Sequence, residues 1–283
     1  MSELQEGARE RVGLIGLGII GAVWAQHYQA AGVLAATWNR TPRPGALAPA
    51  SDPAAVARAS TVLHVVVSDP PAVDGVLAAL ESELGPQHLV LQSTTIDPKS
   101  SSRFAERVRA RGASYVEAPF MGSRPAAEQR KIVFLTGGEP ESVPRAHALL
   151  GLLATTRRHV GATSSAAALK LAFNLQVAIQ MEGICESLSL ARQLGASDDD
   201  FFRTLETTVL WSGFHTAKEP KLRNRDFSAQ FSVKNMLKDM RLATELGRPG
   251  TTPLGVAVRE RLAQADREGL SDQDMSALIE LLR

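Results

Sequence analysis

The stretch Ala162–Leu194, ATSSAAALKLAFNLQVAIQMEGICESLSLARQL, reads as one uninterrupted helix. It contains no proline, Ser164 or Ser165 can cap its start, and Gly195 can stop it. At the α-helical rise it would run to roughly 45–50 Å, longer than a small domain is wide. Leu169, Leu171, Phe173, Leu175, Val177, Ile179, Met181 and Ile184 go nearly all the way round it. A helix apolar on every side belongs inside something. A membrane span is excluded, because Lys170, Asn174, Gln176, Gln180 and Glu182 break any long uncharged run. The expectation is a buried central helix that joins the N-terminal part of the chain to the C-terminal part. Lys170 is its odd residue, the only formally charged side chain between Arg158 and Glu182. A buried ammonium is costly unless it is paired or does chemistry. Asn174, one turn on, shares its face. From the helix alone two readings stand: a structural lysine reaching water beside a satisfied core amide, or a catalytic pair.

Upstream, the strand Arg11–Ile15 runs straight into Gly16-Leu-Gly18-Ile19-Ile20-Gly21, and Ala22–Ala31 reads as helix. Strand, G-x-G-x-x-G, helix is the order a dinucleotide fold requires. The first glycine allows the tight turn and the second lets backbone approach a pyrophosphate. The third lets helix sit against strand, and the helix N-terminus offers N–H groups to phosphate. The second strand, Leu34–Trp38, ends in Asn39-Arg40-Thr41. A site for NAD places a carboxylate there, on the ribose 2′-hydroxyl. Here Arg40 would attract a 2′-phosphate, so the expected cofactor is NADP, with NADPH preferred over NADH.

Residues 42–52, PRPGALAPASD, are too proline-rich for a helix, which shortens the next one to Pro53–Ala59. Thr61–Val67 (TVLHVVV) suits the middle of a parallel sheet, with His64 a core histidine. Val67 and Ser68 leave that strand at its carboxyl end, where cofactors bind in such sheets. Next come a helix over Pro71–Leu84, a strand over His88–Gln92 and a helix through Phe104–Ala110, the last capped by Asp97 or Thr95. Strands Ser114–Pro119, Lys131–Thr136 and Thr156–Val160 flank a helix over Glu139–Leu153. Past Gly195 only helices are read: Ser197–Thr208, a break at Trp211–His215, then Ser232–Gly247, Pro253–Gly269 and Asp272–Leu282. The fold class is therefore α/β, an N-terminal doubly wound Rossmann sheet over 1–161. An all-helical domain over 162–283 completes it, with 162–194 the interdomain helix.

Composition narrows the function. The 283 residues carry a net charge of +1, which gives no field for nucleic acid or other polyanions. The single cysteine, Cys185, rules out a disulfide framework or a cysteine metal cluster. The opening MSELQEGARERV lacks an apolar signal core, residues 1–10 read as a lead-in, and a cytoplasmic location is expected.

Four separated stretches resemble one family, the β-hydroxyacid dehydrogenases. They are Gly16–Gly21 with Asn39-Arg40-Thr41, the loop Glu117-Ala-Pro-Phe-Met-Gly-Ser123, the helix from Gly161 through Lys170 to Asn174, and the segment Lys238–Ala243 (KDMRLA). The resemblance covers essentially the whole chain. It implies hydride exchange between a nicotinamide nucleotide and a small β-hydroxy acid or its aldehyde or keto acid. Lys170 would be the general acid/base and Asn174 would help hold the substrate. Met121, Gly122 and Ser123 would line the substrate loop, Lys238 would reach the cofactor, and Val67, Ser68 and Thr95 would contact it. An ammonium suits that role, since it stabilises the developing alkoxide and supplies the proton. For the reverse direction its pKa must fall from about 10.4, which burial and the nicotinamide charge favour. The departure is Met121 where the family loop carries a serine: a thioether cannot donate to a substrate carboxylate. Either the substrate is larger or less polar than a three-carbon acid, or Ser123 or Arg124 takes its carboxylate, or Met121 merely packs. Imine reductases share the architecture, and a non-catalytic dinucleotide-binding module is the alternative of another class. The apolar helical half, and the family's dimers, imply a homodimer or tetramer through that domain. Trp211, Phe214 and Phe231 are read as either cleft-closing or core residues.

Overall fold

The computed structural model describes residues 10–248 and 250–282. The lead-in expected over residues 1–10 lies outside them except for Glu10. The chain divides into two compact units, residues 1–170 and 171–283.

The first unit is built on strands β1 (Val12–Ile15), β2 (Leu34–Trp38), β3 (Val62–Val65), β4 (Leu89–Gln92), β5 (Ser114–Glu117), β6 (Phe120–Met121), β7 (Val133–Gly138) and β8 (Thr156–Gly161). Their order is β2-β1-β3-β4-β5-β7-β6, with β8 beside β7. The first five are parallel; β7 is antiparallel to β5 and β6, and parallel to β8. The sheet is thus doubly wound over five strands and mixed at the edge. The direction reverses there because the chain leaves β5 through β6 and the five-residue helix α5 (Arg124–Glu128) and comes back along β6 as the antiparallel strand β7, with no long helix to carry it across the sheet as a parallel crossover would. Side chains alternate between two cores. Val12, Leu14, Val62, Leu89 and Leu91 point into one with Trp24, Tyr28 and Phe134, whereas Ile15, Leu63, Val65 and Val90 meet Phe104 and Tyr115 in the other. Burial on both faces explains the near-continuous apolar runs of these strands.

Three helices of this unit start by one device. α2 (Pro53–Ala59), α3 (Pro70–Leu80) and α4 (Pro98–Arg109) each begin at an Asp-Pro pair. Asp52, Asp69 and Asp97 accept the N–H of Ala55, Ala72 and Ser100 at 2.7, 2.8 and 2.9 Å. The proline next in line has no N–H to leave orphaned. Asp97, not Thr95, is therefore the cap of α4. The first helix, α1 (Ile19–Ala30), begins three residues before the glycine spacing indicated, and α6 (Val143–Leu150) is shorter than the Glu139–Leu153 expected.

The long helix α7 (Ser165–Gln193) is continuous. Its burial is one-sided, against expectation. Ala167, Leu171, Ala178, Met181, Cys185 and Leu188 are buried at helical spacing, while Leu169, Phe173 and Leu190 are 37%, 42% and 56% exposed in the single chain, and Leu194 just past the helix end is exposed too. The composition is apolar all round, but only one face finds partners.

In the second unit α7 continues with α8 (Asp198–Glu206), α9 (Gly213–Asn224), α10 (Val233–Leu246) and α11 (Pro253–Ala265), a π-helical turn at Asp266–Leu270 and a 3-10 helix at Met275–Leu282. Met181, Cys185, Leu188, Phe202, Leu222, Met236, Met240, Leu262 and Leu278 form its core. Helix α9 departs from expectation: Trp211–His215 reads as a break, and Pro220 argues against a helix after it. The proline is accommodated, and tertiary partners hold the segment. Lys218 donates to Asp274 at 2.7 Å, and Lys221 to the carbonyls of Asp226 and Ser228 at 3.1 and 2.6 Å.

Candidate active site

The strand order puts β1 beside β3, with their connections leaving on opposite sides; the crevice at such a switch point is where ligands bind. Three glycines meet there for three reasons. Gly16 has φ +104°, and a Cβ on it would lie 2.1 Å from the Val66 carbonyl oxygen. A Cβ on Gly21 would lie 1.9 Å from the Gly16 carbonyl oxygen, so α1 packs on the strand only without one. A Cβ on Gly18 would meet nothing within 4 Å. Packing of this chain therefore leaves Gly18 unexplained, and an approaching phosphate explains it. Gly18 is also the N-cap of α1 and brings no side chain to the N–H groups of Ile19, Ile20 and Gly21.

Asn39 stands at the junction of the glycine turn and the end of β2. Its Oδ1 accepts the Leu17 N–H at 2.8 Å and its Nδ2 donates to the Thr41 carbonyl at 2.6 Å, so it braces the glycine turn against the end of β2. Arg40 and Thr41 are exposed beside it. At the end of β3 the Val67 N–H donates to Thr94 Oγ1 at 2.9 Å, and Ser68 Oγ to Asp69 at 2.8 Å. Thr94, adjacent to the expected Thr95, ties the ends of β3 and β4 together; Thr95 is half-buried. The open glycine, the free helix start and the exposed cation at β2 all fit a dinucleotide.

Lys170 lies on the second turn of α7 and is 7% exposed. Its Nζ donates to Met121 Sδ at 3.4 Å and stands 5.7 Å from the centroid of Phe120. Met121 is therefore at the ammonium itself, not in remote packing. Phe120 packs edge-on against Trp24, which stacks on His64 at 4.7 Å. His64 bridges Tyr28 Oη and Ser93 Oγ at 2.9 and 2.8 Å, and burial pushes it down to about 3. It stays neutral at physiological pH and has no acid/base part. Gly122 has φ +128°, and Ser123 opens α5 without using its hydroxyl as a cap. Arg124 is held by Glu128 at 2.8 Å.

The start of α7 is not capped as the sequence suggests. Ser164 Oγ donates to the Pro98 carbonyl at 2.8 Å, and the N–H groups of Ala166 and Ala167 go to Glu117 Oε1 at 2.7 and 3.3 Å. Burial pushes the Glu117 carboxyl up, against the hydrogen bonds that favour its charge. Glu117 opens the substrate-loop motif, yet no local signal pairs it with an amide 49 residues away.

In the second unit Asn174 is buried and its Nδ2 donates to Asp239 Oδ2 at 2.6 Å. A carboxylate only accepts, so this contact fixes which way the amide points and leaves Oδ1 unclaimed by Asp239. Lys238 Nζ lies 2.7 Å from Asp239 Oδ1. Asp239 is thus the residue that the KD segment contributes to Asn174, a role that sequence reasoning missed. Trp211, Phe214 and Phe231 pack, half-buried, against this unit's core. Among the described residues no cluster of His, Cys, Asp or Glu is placed to hold a metal.

Two family models together match almost the whole chain. Residues 11–161 match the NAD binding domain of 6-phosphogluconate dehydrogenase, and residues 164–282 match the NAD-binding domain of NADP-dependent 3-hydroxyisobutyrate dehydrogenase. The chain belongs to the β-hydroxyacid dehydrogenase family. It is accordingly an NAD(P)-dependent oxidoreductase of the hydroxyacid dehydrogenase type, acting on CH–OH groups. Glyoxylate/succinic semialdehyde reductase 2 (chloroplastic) of Arabidopsis thaliana is 28% identical over 96% of this chain and 79% of its own length. Among solved structures, 3-hydroxyisobutyrate dehydrogenase from Salmonella typhimurium superposes with a TM-score of 0.86 at 21% identity, covering 96% of this chain and 99% of its own. A reductive aminase from Aspergillus terreus in complex with NADPH and ethyl levulinate has a TM-score of 0.66 at 24% identity, covering 98% of this chain and all of its own. The last two establish likeness of fold.

Proposed function

We propose that this dehydrogenase uses NADP, with NADPH preferred over NADH, to interconvert a small β-hydroxy acid or related alcohol and its aldehyde or keto acid, with Lys170 as general acid/base. The observation that carries this reading is the Lys170 ammonium, almost fully buried on a helix and facing a thioether and an aromatic ring. Gly16–Gly21 would hold the pyrophosphate of the nucleotide, Asn39, Arg40 and Thr41 would take its ribose end with the 2′-phosphate, and the bound group would supply or take the hydride. Ile19 and Ile20 present the helix N–H groups. Val67, Ser68 and Thr95, and by the family resemblance Lys238, would contact the rest of the nucleotide. Lys170 donates a hydrogen bond to the carbonyl oxygen and passes it a proton as alkoxide charge develops. Because thioether sulfur is a weak acceptor, the ammonium gives up Met121 readily for a carbonyl oxygen. Asn174, one turn further along α7 and oriented by Asp239, would help hold the substrate, as the family resemblance implies. Gly122 and Ser123 line the loop. Met121 and Phe120 bring no donor to a carboxylate, which favours carbonyl substrates with an apolar group on that side.

The units correspond in this reading to a cofactor domain over 1–161 and a helical domain over 162–283. The exposed Leu169, Phe173, Leu190 and Leu194 support a homodimer or tetramer through the helical part. A cytoplasmic location accords with the sequence, and among the described residues no helix is long and apolar enough to cross a membrane. The test is NADPH oxidation across glyoxylate, succinic semialdehyde, tartronate semialdehyde, methylmalonate semialdehyde, an apolar aldehyde and a cyclic imine, with Lys170→Ala alongside. We expect carbonyl turnover that drops about 10²–10⁴-fold in the variant. Amine formation from the imine alone would replace this reading with an imine reductase. An absence of turnover, with NADPH still bound, would make the chain a binding module.

A further inference from the structure

We infer that Glu117 is the positioning residue for Lys170, holding the first turn of the lysine helix and the loop that faces it in one register; the inference rests on the acid/base role proposed for Lys170. The geometry is a short closed circuit. Glu117 ends β5, and its main chain continues through Ala118 and Pro119 into Phe120 and Met121, the two residues beside the ammonium. Its side chain turns the other way and accepts the N–H groups of Ala166 and Ala167, four and three residues before Lys170 on α7. One residue therefore sets both sides of the contact between Lys170 and Met121.

The surroundings are built for this carboxylate. Glu117 is 1% exposed, and its second oxygen accepts the Ser101 hydroxyl, which is itself fully buried. Gly137 on β7 is the register partner of Glu117 on β5, and a Cβ there would come 2.4 Å from Oε1. The start of α7 also needs holding. Gly161 has φ +139° and Ser164, a non-glycine residue, has φ +83°. That conformation is unfavourable for an L-residue and persists only when its surroundings enforce it. The two amides bound by Glu117 come directly after this turn.

The experiment compares Glu117→Gln, Glu117→Asp and Glu117→Ala by thermal unfolding, NADPH titration, kcat and KM. Trace acetylation of Lys170, quantified by mass spectrometry, reads its accessibility without turnover. Asp is one methylene too short to reach the helix, whereas Gln keeps a carbonyl oxygen for it and an amide for Ser101. We expect Glu117→Asp to bind NADPH as wild type does, to lose kcat about ten- to hundredfold with little change in KM, and to acetylate Lys170 faster. Glu117→Gln should recover most of kcat and the slow labelling. Glu117→Ala, where it folds, should behave as Asp does. Wild-type kcat and labelling in Glu117→Asp would overturn the inference, as would equal losses in Gln and Asp. A Lys170→Ala variant that still turns over, with labelling in Glu117→Asp accelerated, would remove the acid role of Lys170 and leave the positioning role standing.

Discussion

Replacing Lys218 by methionine would leave one of the most enclosed carboxylates of the second unit without its cation. The side chains of Lys218 and Asp274 are 6% and 0% exposed, and Nζ lies 2.7 Å from Oδ1. Breaking such a pair from one side costs about 3–5 kcal/mol, because the remaining charge is stranded. Asp274 is not wholly stranded, however. Its Oδ1 also accepts the N–H and hydroxyl of Ser276 at 3.1 and 2.9 Å, and its Oδ2 the N–H groups of Gln230 and Phe231, both at 3.0 Å. With four donors left, Lys218→Met should sit at the low end, about 3 kcal/mol. Asp274→Ala removes the acceptor from all four donors and strands the lysine, and should cost about 5 kcal/mol or more. The pair also has a pH signature. Burial alone would raise the Asp274 carboxyl, but the Lys218 charge and the hydrogen bonds outweigh it and hold the group below its usual value. Its contribution is therefore complete above the unfolded value of about 3.9 and is lost as pH falls through the lower folded value. Urea unfolding read by hydrogen exchange in α9 and the 3-10 helix tracks this unit by itself. The reasoning fails if Lys218→Met costs less than about 1 kcal/mol, or if Asp274→Ala is the milder change.

Two further outcomes separate the roles assigned around the cofactor. Gly18→Ala should melt as wild type does yet bind NADPH poorly. Gly16→Ala, strained at φ +104° and crowded by Val66, should lower stability by about 1–3 kcal/mol; melting curves with NADPH titrations check both. Arg40→Ala should weaken NADPH binding about tenfold and leave NADH binding unchanged, measured by fluorescence titration; equal losses for the two nucleotides would refute the 2′-phosphate assignment.

Legibility of the chain depends on the range of the interactions concerned. The strand, glycine turn and helix at Val12–Ala30 were legible because each signal lies within a few residues of the element it controls. The same holds for Pro53–Ala59, bounded by a proline-rich run and an Asp-Pro start. Helix α9 was not legible, because Pro220 carries a local signal against it while its support comes from Asp274, far along the chain. The sidedness of α7 was hidden because its composition is apolar on both the packed and the exposed face. At the site, the Lys170 and Asn174 spacing was visible on one helix. Their anchors, Glu117 and Asp239, were not, since each acts across 49 to 65 residues of sequence.

The closeness of Gly137 to Glu117 has an evolutionary corollary. Any side chain at 137 would occupy the place of the carboxylate oxygen, so that position is free to vary only in a lineage that has already altered 117. Loss of the acid would open part of the space a methyl group at 137 needs, and the Ala162 carbonyl oxygen, 2.8 Å from the same Cβ position, would have to shift to release the rest. Two sites on different strands are thereby bound into one heritable unit, and substitutions at them should arrive in order, 117 before 137.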